Sequence, residues 1–167
     1  MARDPIKSLE DRIKRYQNIE SEWAKSPASR SFIQDMIEQI RKRTRLGRGV
    51  ADSGEYEKLK KIAESTTRNR KRYRDNLSEF TTYRRSNLTA TGQLLDNIKH
   101  EFRNGIIKLF FGGVRRKELS GKGRGMKNSE VAKHVSVARP FFKLSNSEQK
   151  QFSRRLKAEF LKIIRGR

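Results

Sequence analysis

The chain contains no cysteine and only two histidines. The first absence excludes disulfides and thiolate metal sites. The second leaves little for nucleophilic catalysis. His100 and His134 stand in unrelated contexts, and neither has a serine or carboxylate pattern around it that suggests a triad. There is no His-x-x-x-His pair and no paired-acid pattern, and the acidic residues scatter along amphipathic segments, where a solvated face explains them. No apolar run approaches the roughly 18 residues that a membrane span needs. Residues 1–5, MARDP, lack the apolar region of a signal peptide. The expectation is a non-enzymatic protein with no cofactor, no metal and no membrane partner, made and used in a cytoplasmic setting.

Acid is also scarce beside base. Against 41 Lys+Arg stand 19 Asp+Glu, a formal net charge of +22 in 167 residues. Such an excess favours a polyanionic neighbour: nucleic acid, an acidic membrane surface or an acidic protein. Apolar residues make up 33% of the chain, but 9 Phe, 4 Tyr and Trp23 supply large surfaces for a core.

The apolar residues recur in clusters of helical or strand period. Ile6, Leu9, Ile13, Tyr16, Ile19 and Trp23 form one stripe at spacings of three and four, predicting a helix over 6–25 with Asp4 as N-cap and Pro5 in the first turn. Such a helix either packs into the core or docks as an arm on a neighbouring subunit, through Ile6, Leu9, Ile13, Tyr16 and Trp23. Ser26-Pro27 breaks the pattern, and a second helix is expected over 29–46, capped by Ser29 or Ser31, with Phe32, Ile33, Met36, Ile37 and Ile40 on one side. Residues 50–54 read as a loop, and 55–63 as a further helix with Tyr56, Leu59 and Ile62 on its apolar face.

Beyond a basic stretch and an irregular segment anchored by Phe80 and Tyr83, Thr89 or Thr91 is expected to cap a short helix carrying Leu94, Leu95 and Ile98. Residues 100–103 and 106–111 read as two strands joined by Asn104-Gly105, a strong hairpin signal. Residues 115–127 read as a basic, glycine-rich loop. The Gly121-Lys122-Gly123-Arg124-Gly125 run within it lacks the Gly-Lys-Ser/Thr ending of a nucleotide-binding loop. A short helix over 128–135 and an extended segment over 137–142 lead to Ser145-Asn146-Ser147-Glu148, a capping box that opens the last helix, whose stripe is Phe152, Leu156, Phe160 and Ile163 or Ile164. The fold class expected is α+β: amphipathic N-terminal helices, a small antiparallel sheet with its hairpin at Asn104-Gly105, and a C-terminal amphipathic helix. Residues 1–54 are expected to form a helical arm and 55–167 the core.

The positive charge clumps at 41–48, 68–74, 84–85, 115–117, 122–127 and 154–157. Candidates to face DNA or another polyanion are Arg41, Lys42, Arg43, Arg45, Arg68, Arg70, Lys71, Arg72, Arg74, Arg115, Arg116, Lys117, Lys122 and Arg124. Phosphate contacts from such clusters give affinity without sequence preference. Nothing in the chain has the pattern of a zinc finger, a helix-turn-helix or an RNA-recognition strand.

Two segments carry a resemblance. Residues 86–98 (SNLTATGQLLDNI) hold Leu88, Thr89, Thr91, Gly92 and Leu94 in a Leu-Thr-x-Thr-Gly-x-Leu pattern ahead of the hairpin. Residues 138–145 (ARPFFKLS) place Arg139, Pro140 and Phe141 directly before the last helix. In this order the chain resembles the tail-completion, or virion-morphogenesis, proteins of the tailed-bacteriophage neck, over roughly residues 55–167. The resemblance implies a structural virion protein: an α+β subunit assembled as a homo-oligomeric ring at the head–tail interface. The ring would touch portal or connector-adaptor proteins on one side and tail proteins on the other, with genomic DNA close by. The same residues also have a simpler role, in which they hold the fold. The competing reading of the charge is a nucleic-acid-binding protein without sequence preference.

Overall fold

A computed structural model describes residues 5–72, 74–77, 79, 81, 93–103, 106–114, 125–138 and 140–165, with the side chains of 5–9, 76 and 138 outside the description. Among these residues the chain is mixed helix and sheet, with six helices and two separate antiparallel pairs of strands. The expected α+β class, with helices at the N-terminus and an amphipathic helix at the C-terminus, is what forms.

Helix α1 runs Pro5–Lys25 and α2 runs Pro27–Arg45. One residue, Ser26, separates them. Its hydroxyl donates to Trp23 O at 2.7 Å and accepts the Ser29 N–H at 3.2 Å. Ser26 is therefore the N-cap of α2, not Ser29 or Ser31. Proline has no N–H to lose in the first helical turn, so Pro27 starts the second helix instead of delaying it.

Residues 55–63 depart from expectation. Strand β1 (Arg48–Val50) pairs with β2 (Tyr56–Lys58), in register Arg48↔Lys58, Gly49↔Glu57 and Val50↔Tyr56. Turn chemistry overrides the helical spacing of Tyr56, Leu59 and Ile62. Gly54 takes φ +85° and its N–H donates to Ala51 O at 2.9 Å, while Ala51 N–H donates to Glu55 O at 2.9 Å. Beyond β2 the Leu59 N–H donates to Gly47 O at 2.8 Å, and the Leu59 side chain enters the core.

The basic stretch lies on helix α3 (Glu64–Arg72), followed by a single 3₁₀ turn at Arg74–Asn76. Helix α4 is short, Gln93–Asp96, and leads into strand β3 (Ile98–Arg103), which pairs with β4 (Ile106–Phe111) from Ile98↔Phe111 to Arg103↔Ile106. Ile98, expected on the short helix, opens the strand instead. The proposed turn residues Asn104 and Gly105, the candidate caps Thr89 and Thr91, and the anchors Phe80 and Tyr83 lie outside the described residues. Helix α5 (Asn128–Ala138) is fixed to the end of β4 by Asn128, whose side-chain amide donates to Gly112 O at 2.8 Å and whose N–H donates to Gly113 O at 3.0 Å. It runs past Val135 to Ala138, so the extended segment starts later than expected.

Helix α6 (Asn146–Arg165) begins on the capping box read from the sequence. Ser145 N–H donates to Glu148 Oε2 at 2.7 Å, and Glu148 N–H donates to Ser145 Oγ at 3.2 Å. α1 and α6 lie against each other.

The core is organised around Trp23, 1% exposed. Its ring meets Phe32 of α2 and Phe102 of β3 edge-on, each at 5.5 Å, and Phe160 of α6 at 5.9 Å. One indole thus holds four elements together. Phe111, Phe141 and Phe142 make a second aromatic group, with Phe111 and Phe142 4.4 Å apart. The same core cluster takes residues from α1 and α2 and from the later elements, including Leu59, Leu95, Phe141 and Phe152. At its edge β1 touches the segment before α6: Val50 N–H donates to Pro140 O at 2.9 Å.

Two substitutions measure this packing by urea denaturation. Trp23→Ala is expected to lower stability by about 3–5 kcal/mol, since it leaves a cavity shared by four elements. Gly49→Ala would set its Cβ 2.3 Å from Pro140 O and 2.8 Å from Leu59 Cδ2. Backbone must move to admit it, so a loss of about 1–3 kcal/mol is expected. An unchanged midpoint for Gly49→Ala would mean that β1 does not pack against Pro140.

Candidate polyanion-binding surface

The charge clusters do not share one fate. At the end of α2 only Lys42 points plainly to solvent. Arg43 is 4% exposed. One Nη of its guanidinium donates to Glu148 Oε2, and the other donates to the carbonyls of Phe141 at 2.8 Å and Lys143 at 2.6 Å. The Tyr56 ring lies 5.9 Å from its central carbon. Arg43 therefore belongs to the interior and not to a polyanion-facing surface. Arg41 also turns inward. Its Nε donates to Leu95 O at 2.9 Å and one Nη to Asp96 O at 3.1 Å, while the other Nη pairs with Glu38 at 2.5 Å. Arg45 lies 3.6 Å from the Asp96 carboxylate. Together Arg41 and Arg45 tie α2 to α4.

The second cluster divides too. Arg68, Lys71, Arg72 and Arg74 are exposed, with Arg74 beside Asp75 at 3.7 Å, whereas Arg70 is buried. Arg70 is thus a packing residue of α3. Arg115, Arg116, Lys117, Lys122 and Arg124 lie outside the described residues.

Of the motif residues, Leu88, Thr89, Thr91, Gly92 and Arg139 are also outside the described residues. Leu94 packs against the core, and its neighbour Leu95 is buried in it. Pro140 accepts the β1 hydrogen bond, and Phe141 is fully buried against Phe111 at 5.8 Å. Where the motif residues are described, they hold the fold.

The α1 stripe changes character along its length. Trp23 is buried, yet Tyr16 is 66% exposed and Ile13 50% exposed. The side chains of Ile6 and Leu9 are outside the described residues.

One exposed face escaped the charge-run reading. Successive strand residues point to opposite sides. Lys99, Glu101, Arg103, Ile106, Lys108 and Phe110 therefore share the outer face of the β3–β4 ribbon, and all six are exposed. Lys99 sits opposite Phe110, Glu101 opposite Lys108, and Arg103 opposite Ile106. Lys99 opposite Phe110 and Lys108 two residues before it put two cations beside an aromatic ring, a platform able to take phosphates and stack a base, with Arg103 at the other end of the ribbon. No run of adjacent basic residues marks it, but alternation in a hairpin already read from the sequence would have found it.

Among the described residues no group of three or more His, Asp or Glu side chains is placed to hold a metal ion, and no helix is long and apolar enough to cross a membrane. No family model matches the chain, and no curated protein or solved structure matches it.

The division between interior and surface arginines has a direct test. Arg43→Met strands the buried Glu148 carboxylate and is expected to cost about 3–5 kcal/mol in chemical denaturation. Adding Glu148→Met should restore only part of this, because Glu148 also caps α6. Lys42→Ala, one residue away on the surface, should stay within about 0.5 kcal/mol of the parent.

Proposed function

We propose that the chain is a structural subunit of the neck of a tailed bacteriophage. It assembles as a homo-oligomeric ring that joins the portal or connector-adaptor proteins of the head to the tail, around the channel through which the genome passes. Three features support this reading. The Leu-Thr-x-Thr-Gly-x-Leu and Ala-Arg-Pro-Phe segments stand in the family's order, before the hairpin and before the last helix. The fold is α+β, the class that the resemblance implies. The net charge of +22 suits a place beside DNA.

The observation that carries the assembly role is the α1 stripe. A helix whose Trp23 anchors the core leaves Ile13 and Tyr16, on the same stripe, open to solvent. Ile13 and Tyr16 are three residues apart and so neighbours on the helix surface. An apolar stripe that continues beyond its own core suits docking on an adjacent subunit or on the connector.

A second reading, nucleic-acid binding without sequence preference, is favoured by the cationic outer face of the β3–β4 ribbon, where Phe110 stands beside Lys99 and Lys108 and Arg103 extends the same face. In a neck protein this contact has to be loose enough to let DNA pass.

Imaging of the assembled particle tests the role. The expected result is a ring of this chain between portal and tail, and its absence from mature particles would overturn the proposal. Ile13→Asp with Tyr16→Asp tests the carrying observation. The variant should fold with an unchanged melting temperature, since both sites are exposed, yet fail to enter particles in a complementation assay.

A further inference from the structure

Helix α6 presents a surface of one sign opposite its core stripe. Phe152, Leu156, Phe160 and Ile163 face inward. At 3.6 residues per turn, positions 150, 154, 157, 161 and 165 fall within a sector of about 80° on the other side. They are Lys150, Arg154, Lys157, Leu161 and Arg165, and all five are exposed. The remaining charges of α6 are already matched. Arg155 pairs with Asp35 and lies over the Phe32 ring, Lys162 pairs with Glu159 at 3.0 Å, and Glu148 is buried against Arg43. Among the described residues, no carboxylate lies within ion-pair distance of Lys150, Arg154, Lys157 or Arg165. Asn146, Gln149 and Ser153 line a shallow open depression with Lys150 and Arg154, adding neutral hydrogen-bonding groups at the start of the stripe.

We infer that this stripe is a binding face for the phosphate backbone of duplex DNA, read without regard to base sequence. The four cations run from position 150 to position 165 of one helix, a rise of about 22 Å. Along that length one strand of duplex DNA presents about six phosphates. The chemistry of the stripe selects among polyanions. A stable protein interface needs an apolar or aromatic centre from which charge is largely excluded, and Leu161 is the one apolar side chain in the row. Single-stranded nucleic acid is held largely by stacking on aromatic rings, and the row has none. A regular line of cations with polar neighbours matches a duplex backbone. The inference deepens the neck proposal and rests on its claim that DNA lies close to this subunit; it adds which face meets the DNA.

The test uses the purified full chain and a short fluorescent duplex of mixed sequence, with anisotropy followed over a potassium chloride series. The parent should bind with affinity falling steeply as salt rises. Lys150→Gln with Arg154→Gln and Lys157→Gln removes three phosphate contacts. It should make the slope of log affinity against log salt shallower by about 2.7, at about 0.9 per contact. A control with equal loss of charge, Lys58→Gln with Lys60→Gln and Lys61→Gln, should leave the slope as in the parent. Melting curves check that both variants are folded. Equal effects of the two triples would overturn the inference in favour of undirected charge. A parent-like slope in the α6 triple would also overturn it, as would a parent that binds polyglutamate through α6 but not the duplex. These outcomes are separate from the neck role, because a chain that fails here and still forms a ring in imaged particles retains that role.

Discussion

The guanidinium of Arg43 is the contact on which most of the architecture depends. It reaches from the last turn of α2 to the carboxylate that caps α6, and it also holds the carbonyls of Phe141 and Lys143. A buried charge is tolerable only when it is paired and hydrogen-bonded, and three partners from one short stretch of chain meet that condition. The stretch in question is the crossing from α5 to α6. With it fixed, Pro140 O is in place for the β1 amide, and Phe141 and Phe142 are in place against Phe111. Glu148 has two roles at once, since the oxygen that takes the Arg43 proton donor also accepts the Ser145 amide. Helix capping and long-range pairing are thus properties of one atom.

Elements with long periods were legible from residues alone. Ile33, Ile37 and Ile40 on α2, and Phe152, Leu156 and Phe160 on α6, repeat often enough to define a face. The β3–β4 pair has strands of six residues with strong alternation. The β1–β2 pair has three residues per strand, too few for a period, and is held by the Gly54 turn and by contacts with Pro140 that are remote in sequence. Local spacing could not reveal those contacts.

The candidate surface was legible in part for a related reason. Arg43 stands in a basic run, yet it follows Ile40 by three residues and Met36 by seven, which places it on the buried stripe of α2. Counting adjacent charges hides that, while following the helical period exposes it. The converse holds for Lys99, Arg103 and Lys108, which are never adjacent and still share one face of a ribbon. Charge along the chain and charge on the surface are different quantities. The first suggests the class of partner, and only the second assigns residues to it. The described surface carries cations on α3, on the ribbon and on α6, while the arginines that end α2 fasten elements to one another.

The Arg43–Glu148 pair joins positions 105 residues apart. During synthesis, which proceeds at about 5–20 residues per second, α2 emerges long before its partner exists. For that interval the arginine stays hydrated, the α2 stripe lacks the Phe152 that covers Phe32, and Trp23 lacks Phe160. A chain broken off before α6 therefore keeps Phe32 and Phe102 against Trp23 but leaves the Phe160 side of the ring uncovered. This works as proofreading by length: a prematurely ended copy keeps one side of its core open, and with it a ready target for proteolysis.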